Sequence, residues 1–231
     1  MRDQMTQLKL NKTVSLPATT VNAVYQPANN GMSFPAAILQ SDYFNPSVPL
    51  FYNYGKIGCI IGHEITHGFD NSGSKFDENG QLRNWWNNET FEKYVEKTHC
   101  IAEQFDDIVD PISGLNLNGN QTLGENLADL GGIKIAFTAF QSMQSKKRSD
   151  KSQKLPGFGK YTPDQMFFLA YASNWCGLSR PAYREMWILY NPHSLYRYRV
   201  VEPLKNTPEF ATAFSCPAGS RMNPLHQCRF W

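Results

Sequence analysis

Gly62-His63-Glu64-Ile65-Thr66-His67-Gly68-Phe69-Asp70 is the stretch that decides the fold of this 231-residue chain. It places His63 and His67 four residues apart, with Glu64 directly after the first histidine. On an α-helix, residues i and i+4 lie on one face about one turn apart, so both imidazole rings can reach one cation. Neutral imidazole suits zinc, and a catalytic zinc usually takes three protein ligands and a water. Glu64 could lie beside that water as its general base.

The residues around the two histidines favour a buried helix. Gly58 and Gly62 permit close packing, and apolar side chains surround them at Ile57, Ile60, Ile61 and Ile65. A helix that carries two histidines by coincidence is the alternative, because a bare five-residue match occurs in many unrelated proteins. A third ligand further along the chain favours the metal site.

Glu125 is the candidate third ligand. It lies in a segment with an apolar stripe at helical spacing, formed by Leu123, Leu127 and Leu130. Glu125 and Asp129 share another face of that helix. One carboxylate can bind the metal while the other accepts the spare N–H of a ligand histidine, which determines the ring's tautomer and orientation. The alternative is a solvated acidic edge on an amphipathic helix, and the two histidines upstream make it the weaker interpretation.

With these motifs, the sequence resembles the neprilysin-like zinc endopeptidases, which include the endothelin-converting enzymes. The resemblance covers about residues 21–231, and its motifs are residues 21–25 (VNAVY), 34–40 (FPAAILQ), 63–70 (HEITHGFD), 124–129 (GENLAD), 167–169 (FFL), 175–176 (WC) and 228–231 (CRFW). It implies a mainly α-helical domain with a small β element, an α+β fold. Such a domain resembles the thermolysin-like metallopeptidase core, with an HExxH helix followed by an ExxxD helix.

The resemblance implies a role for each residue of the metal centre. His63, His67 and Glu125 would bind one zinc ion per chain. Glu64 would deprotonate the zinc-bound water, and Asp129 would orient either His67 or His63. From the residues alone, a structural zinc module is the weaker interpretation, because such sites normally have four protein ligands and need no neighbouring base.

The resemblance also implies a set of substrate-binding residues. Asn22 and Ala23 would hold the substrate backbone along an exposed strand edge. His193 would hydrogen-bond the developing oxyanion, and Arg199 would hold the substrate backbone or its terminal carboxylate. Trp175 would line the pocket for a substrate side chain. Without the resemblance, an ordinary sheet edge, a structural or exposed histidine and a core tryptophan would be the simpler interpretations.

Two features near His193 depart from the family pattern. Leu195 stands where the family usually has proline, and Arg197 offers a second arginine beside Arg199. Alignment with the family motif favours Arg199 over Arg197 as the substrate-binding arginine. Residues 68–70 resemble the neprilysins and residues 192–194 the endothelin-converting enzymes, so the sequence does not separate the two specificities.

Composition excludes several classes of protein. Lys and Arg total 22 and Asp and Glu total 20, a net charge of +2, which gives no basis for nucleic-acid binding. A hydrophobic content of 41% supports a sizeable core. No apolar run approaches the roughly 20 residues that span a bilayer, and no signal peptide follows Met1.

The resemblance implies that this chain is the C-terminal catalytic portion of a longer, membrane-anchored ectoenzyme. We expect residues 1–20 to be a poorly ordered lead-in and residues 21–231 to be the catalytic domain, with the family's N-terminal lobe and membrane anchor absent. An extracellular location follows from the resemblance. Three Asn-x-Ser/Thr acceptors for glycans, Asn11, Asn88 and Asn120, suit an exported protein.

Five cysteines leave at least one without a partner inside the chain. The resemblance implies a disulfide between Cys100 and Cys228. It also implies that the partners of Cys176 and Cys216 lie in the absent N-terminal region. Cys59 lies within the predicted helix that carries His63 and His67 (the metal helix), and we expect it to be a buried free thiol.

Periodicity and turn residues predict the remaining elements. We expect strands at residues 21–25 and 34–39 and helices at residues 54–69, 90–108, 123–144, 162–176 and 181–189, with a further helix start at 207–209. Thr162, Pro163 and Gln165 form a strong helix start. Residues 145–160 are expected to be a basic, solvated loop.

The expected function is a zinc-dependent endopeptidase that hydrolyses internal bonds of short peptides, by family resemblance on the amino side of hydrophobic residues. The alternative is a truncated chain that binds zinc without turnover and acts as an interaction module. The missing lobe would cap the substrate chamber, so its absence supports that alternative.

Overall fold

The computed structural model describes residues 16–146 and 155–230, and it is mainly helical with one small sheet, as predicted. Strands β1 (Val24–Gln26) and β2 (Gly31–Ser33) pair antiparallel, with Val24 opposite Ser33. The helices are α1 (Leu50–Asn53), α2 (Cys59–Thr66), α3 (Asn88–Asp106), α4 (Gly119–Lys146), α5 (Pro163–Ser173), α6 (Pro181–Tyr190), α7 (Tyr196–Lys205) and α8 (Pro208–Ala213).

The metal helix is longer and less regular than predicted. It begins with α1, continues through a π-helical segment (Tyr54–Gly58) into α2, and ends in a 3₁₀ turn (His67–Phe69). The 3₁₀ turn brings the second histidine to the end of the helix, beside the loop that follows. The two histidines therefore share one face although the hydrogen-bonding pattern changes between them.

Helices α2 and α4 approach each other at two glycines. A Cβ on Gly62 would lie 2.8 Å from the carbonyl oxygen of Gly132, and a Cβ on Gly132 would lie 2.7 Å from that of Cys59. Neither position has room for a larger residue, so the helix backbones are in direct contact. This contact brings His63 on α2 next to Asp129 on α4.

Two apolar clusters lie along α4, one against its second half and one against its first half. One consists of buried aromatic side chains from α4 and α5, among them Phe137, Phe140, Phe167, Phe168 and Tyr171. The other joins α3 and α4 to the C-terminal segment through Ile101, Phe105, Leu127, Leu130 and Phe230. Because α4 is packed against apolar side chains along both halves of its length, the acidic residues on it are held in a rigid element.

One prediction of secondary structure was wrong, and one helix was not predicted. Residues 34–39 do not form a strand: Ala36–Ile38 is a 3₁₀ turn capped by Pro35, and Ile38 is buried against Ala23 and Ile57. The second strand instead lies just before it, in β2. Helix α7 was missed because its Tyr-Arg-Tyr-Arg alternation does not resemble an amphipathic helix and because it contains Pro203, which it accommodates near its C-terminal end.

The disulfide between Cys100 and Cys228 is present, as predicted. Cys59 is a buried free thiol, also as predicted, whereas Cys176 is exposed and Cys216 half-buried. Residues 1–15, which include Asn11, most of the predicted basic loop (147–154) and Trp231 lie outside the described residues. Within the described ranges, no helix has the length and apolar character needed to cross a bilayer.

A buried ion pair and a hydrogen bond join the loop after α3 to helices α6 and α7. Asp110 is fully buried and accepts hydrogen bonds from Arg184 on α6 and from the Tyr198 hydroxyl on α7, the latter at 3.0 Å. Burial acts to raise the pKa of Asp110, but the bonds from Arg184, Ser113 and Tyr198 outweigh it and lower that pKa well below its usual value. The stabilisation is therefore present at pH values above the unfolded pKa of about 3.9 and is lost as the pH falls through the folded value.

Replacing Arg184 with methionine is expected to lower the free energy of unfolding by about 2 kcal/mol or more, because Asp110 would stay buried without its cation. The pKa of Asp110 would rise towards or above its unfolded value of about 3.9, so the variant should lose less stability than the parent chain as the pH falls below about 4. Urea unfolding between pH 2 and pH 7 measures both effects. Equal pH dependence in the two chains would contradict this account of Asp110.

Candidate metal and substrate site

The three predicted ligands converge on one point. Nε2 of His63 and Nε2 of His67 lie 3.0 Å apart, and Oε2 of Glu125 lies 3.2 Å from the first and 3.7 Å from the second. His63 lies on α2, His67 opens the 3₁₀ turn, and Glu125 comes from the first half of α4. The sequence had selected these residues from two separate segments, and the packing of α2 on α4 brings them together.

Each ligand histidine has a carboxylate at its other ring nitrogen. Nδ1 of His63 lies 2.9 Å from Oδ1 of Asp129, and Nδ1 of His67 lies 2.7 Å from Oδ2 of Asp70. A proton on each Nδ1 satisfies these contacts and leaves a lone pair on each Nε2. The sequence had left open which histidine Asp129 contacts, and the partner is His63.

Asp70 was not selected from the sequence, although it closes the opening motif three residues after His67. That spacing places the two side chains on one side of a helical turn, and this signal could have found it. Oδ1 of Asp70 also accepts the backbone N–H groups of Ser72 and Gly73, each at 2.7 Å. Asp70 therefore has the same position relative to His67 as Asp129 has relative to His63.

The residues present fit a zinc ion. Two imidazole lone pairs that face each other at 3.0 Å repel unless a cation lies between them. Oε2 of Glu125 is buried, and no described residue makes a well-aligned hydrogen bond to it, although Nε2 of His193 is 3.0 Å away. Two imidazole nitrogens and one carboxylate oxygen form a donor set that is typical of catalytic zinc sites.

Replacing Asp70 with alanine is expected to weaken zinc binding about 10- to 100-fold, because His67 would lose the acceptor that orients its ring. Asp70→Asn is the comparison variant: its one amide oxygen can accept either from Nδ1 or from the Ser72 and Gly73 N–H groups, so its loss should be smaller than that of the alanine variant. Competition with a chromogenic chelator measures both affinities. Equal affinity in the alanine variant and the parent chain would show that Asp70 does not orient His67.

Glu64 lies at the same site and is buried, with 5% of its surface exposed. Burial raises the pKa of Glu64, and electrostatic interaction with the two histidines offsets part of that rise. The backbone N–H of Tyr25, on β1, donates a hydrogen bond to its carboxylate. A carboxylate with a raised pKa next to the ligands has the properties of a general base.

Arg199 is buried and paired with Asp129. Its Nε and Nη2 donate to the two oxygens of Asp129 at 2.7 and 2.8 Å, and its guanidinium lies 3.7 Å from the centre of a Trp175 ring. Burial acts to raise the pKa of Asp129, but Arg199 and His63 outweigh it and lower that pKa. Arg199 therefore neutralises the carboxylate behind His63. It also lines a cleft that opens above the three ligands and is described below. Arg197 is exposed.

His193 lies in the loop between α6 and α7, next to Glu125. Oδ1 of Asn191 accepts from its backbone N–H at 2.8 Å and lies 3.0 Å from its Nδ1, so Nε2 faces the metal site. Trp187 donates to the carbonyl of His193, and Ser194 donates to Asn126 on α4. Asn191 was not predicted from the sequence to be a site residue, although it lies only two residues from His193.

A cleft of about 410 Å³ opens above the ligands. Residues 21–25 form one side of it, including the exposed Asn22 and the buried Ala23. His193 and Arg199 line it too, together with the apolar side chains of Ile38, Tyr43, Ile60 and Trp175. The structure thus brings the residues selected from the sequence to one cleft, except Asp129, which lies behind His63 and contacts its Nδ1.

The model of Peptidase family M13 matches residues 22–230. The chain belongs to this family. Neprilysin-21 of Caenorhabditis elegans is 46% identical over 211 residues, which are 91% of this chain and 27% of the relative. Human endothelin-converting enzyme 1 is 40% identical over 229 residues, which are 99% of this chain and 29% of the relative.

Solved structures of M13 peptidases have the same fold. The zinc metalloprotease ZMP1 of Mycobacterium tuberculosis, in complex with an inhibitor, superposes with a TM-score of 0.86 at 33% identity, over 96% of this chain and 34% of that one. PepO from Lactobacillus rhamnosis gives a TM-score of 0.77 at 31% identity. This M13 chain spans roughly a third or less of the length of the relatives to which it is similar.

Proposed function

We propose that this chain forms the catalytic part of a zinc endopeptidase that hydrolyses internal bonds of short peptides. One observation carries the proposal: His63, His67 and Glu125 converge on one point beside the buried Glu64, at the floor of an open cleft. Zinc bound there would polarise the scissile carbonyl and acidify the attacking water. Membership of the M13 peptidases supports the same reaction class.

Different residues of the cleft bind the peptide, transfer the proton and stabilise the oxyanion during hydrolysis. A peptide lies along residues 22–25 and adds a strand to that edge, where Asn22 and Ala23 hold its backbone. Glu64 accepts a proton from the attacking water as oxygen bonds to the carbonyl carbon, and it then delivers that proton to the amide nitrogen as the C–N bond breaks. His193, held by Asn191, donates from Nε2 to the oxyanion that develops.

Specificity follows from the apolar side of the cleft. Ile38, Tyr43, Ile60 and Trp175 form a wall suited to a hydrophobic side chain, so the bond on the amino side of a hydrophobic residue is the expected target. Arg199 uses two nitrogens to bind Asp129, and its remaining N–H groups are available for a substrate carbonyl or terminal carboxylate.

We place the protein in an oxidising compartment outside the cytosol. The Cys100–Cys228 disulfide supports this placement, since such bonds persist mainly in exported proteins. Both Asn88 and Asn120 are exposed and available to a glycosylating enzyme. The expected partners are peptides, and the net charge of +2 offers no footprint for nucleic acid.

The test loads the metal-free chain with zinc and follows cleavage of an internally quenched peptide, blocked at both ends, that contains one leucine. We expect about one zinc per chain, loss of binding in His67→Ala, and one cut on the amino side of the leucine, located by mass spectrometry. Zinc binding without cleavage would support the alternative of an inactive interaction module. Absence of zinc binding would overturn the ligand assignment.

A further inference from the structure

We propose that a second groove, running from Tyr25 away from the metal site, binds the part of the peptide that precedes the scissile bond and prefers apolar side chains there. The inference rests on the proposed function and adds a substrate preference to it. The groove has a volume of about 440 Å³. Tyr25 lines both this groove and the main cleft, whereas the apolar wall of the main cleft (Ile38, Tyr43, Ile60 and Trp175) does not line the groove.

Several large apolar side chains line the groove and are partly exposed to solvent. Met32 on β2 is 45% exposed, Ile65 on α2 is 38%, Phe69 is 40% and Trp85 is 41%. Phe69 ends the 3₁₀ turn of the metal helix, and Trp85 is held by a hydrogen bond from its indole N–H to the carbonyl of Ser74. Apolar surface gathered in one concave site is typical of a binding site.

Tyr25 connects this groove with the metal cleft, because its side chain lines both cavities. Gly68 lies beside it, and a Cβ there would approach the Tyr25 hydroxyl to 3.2 Å. That hydroxyl donates to Asn30, and the Asn30 amide donates to the carbonyl of Glu78, so the wall between the cavities is held in place. A peptide that passes Tyr25 on leaving the cleft therefore enters the groove, with Tyr25 as the side chain shared by the two sites.

The direction of the peptide follows from the two ends of β1. The apolar wall that would receive the residue after the scissile bond lies at the Ala23 end, where Ile38 packs. The groove lies at the Tyr25 end. Residues that precede the bond must therefore run past Tyr25, antiparallel to β1. At about 3.4 Å per residue in an extended strand, residues roughly two to four before the bond reach the groove.

Acidic residues at the outer end of the groove add a second preference, which concerns the charge of the peptide side chain. Asp77 and Glu78 line the groove, and Arg83, which pairs with Asp77, is the cation that contacts them in the described structure. Two carboxylates against one guanidinium leave a net negative charge at this end. An acidic side chain is therefore disfavoured in the groove, and an apolar one is favoured.

The experiment measures binding, so it does not depend on turnover. The zinc-loaded Glu64→Gln chain is titrated with a dye-labelled core peptide that begins one residue before the bond, and with versions extended upstream by three residues that carry either leucines or aspartates. We expect the leucine extension to tighten binding about tenfold and the aspartate extension to give no gain.

Two substitutions at Met32 locate the effect. Met32→Ser should reduce the gain from the leucine extension without changing affinity for the core peptide. Met32→Glu should shift the preference from a leucine to an arginine extension, which a general loss of structure would not produce. Met186→Ser is the matched control, because Met186 lies on α6, 64% exposed and away from the groove.

The outcomes separate the groove from the proposed function. If the core peptide binds and the leucine extension adds nothing, or if both extensions add equally, the groove assignment is overturned and the peptidase proposal stands. If the gain persists unchanged in both Met32 variants, the extension binds elsewhere and the assignment is again overturned. If the core peptide neither binds this chain nor is cut by the parent, the proposed function fails and the inference fails with it.

Discussion

Replacing Glu64 with glutamine is expected to lower the rate of peptide hydrolysis about 10³-fold or more while the zinc content stays unchanged. The amide has nearly the same shape as the carboxylate but cannot accept a proton. The buried position and raised pKa of Glu64 are consistent with proton transfer to this group rather than with metal binding. The effect should therefore fall on kcat, with little change in KM.

Cleavage of the quenched peptide and zinc analysis of the same samples measure this effect. Glu89→Gln is the matched control, because Glu89 lies at the exposed start of α3 and its side chain is 79% exposed. That variant should behave as the parent chain does. Residual activity within tenfold of the parent in Glu64→Gln would show that another group, such as His193, takes the proton.

Replacing Asp129 with alanine is expected to destabilise the chain by about 3–5 kcal/mol, because Arg199 would stay buried without its counter-ion. Asp129 is 3% exposed, and its two oxygens accept from Arg199 and contact His63. Loss of the contact to His63 should also weaken zinc binding about 10- to 100-fold. Stability and metal affinity therefore fall together in this variant.

A second substitution separates the two effects. In Asp129→Ala combined with Arg199→Met, no buried cation remains, so part of the lost stability should return. The zinc affinity should not return, because His63 still lacks its acceptor. Urea unfolding in the presence of a chelator gives the stability, and competition with a chromogenic chelator gives the affinity. Recovery of zinc binding in the double variant would contradict the positioning role of Asp129.

Local pattern was sufficient for most of the helices and for selecting the three side chains that we propose as metal ligands, which the structure brings together. The start of α5 was predicted from Thr162 and Gln165, and both hydrogen bonds of that capping box are present. Local pattern failed at residues 34–39, whose apolar residues suggested a strand. Pro35 cannot donate a backbone hydrogen bond, and Ile38 is buried by packing on Ala23 rather than by pairing in a sheet.

The sequence by itself predicted that His63 and His67 share one face of a helix, because i and i+4 on one helix are neighbours whatever surrounds them. Only the tertiary structure decided that Asp129 contacts His63, 66 residues away, and that Arg199 binds Asp129 from a helix 70 residues further on. These contacts depend on the close approach of α2 and α4 at Gly62 and Gly132, a long-range packing event that no local periodicity encodes.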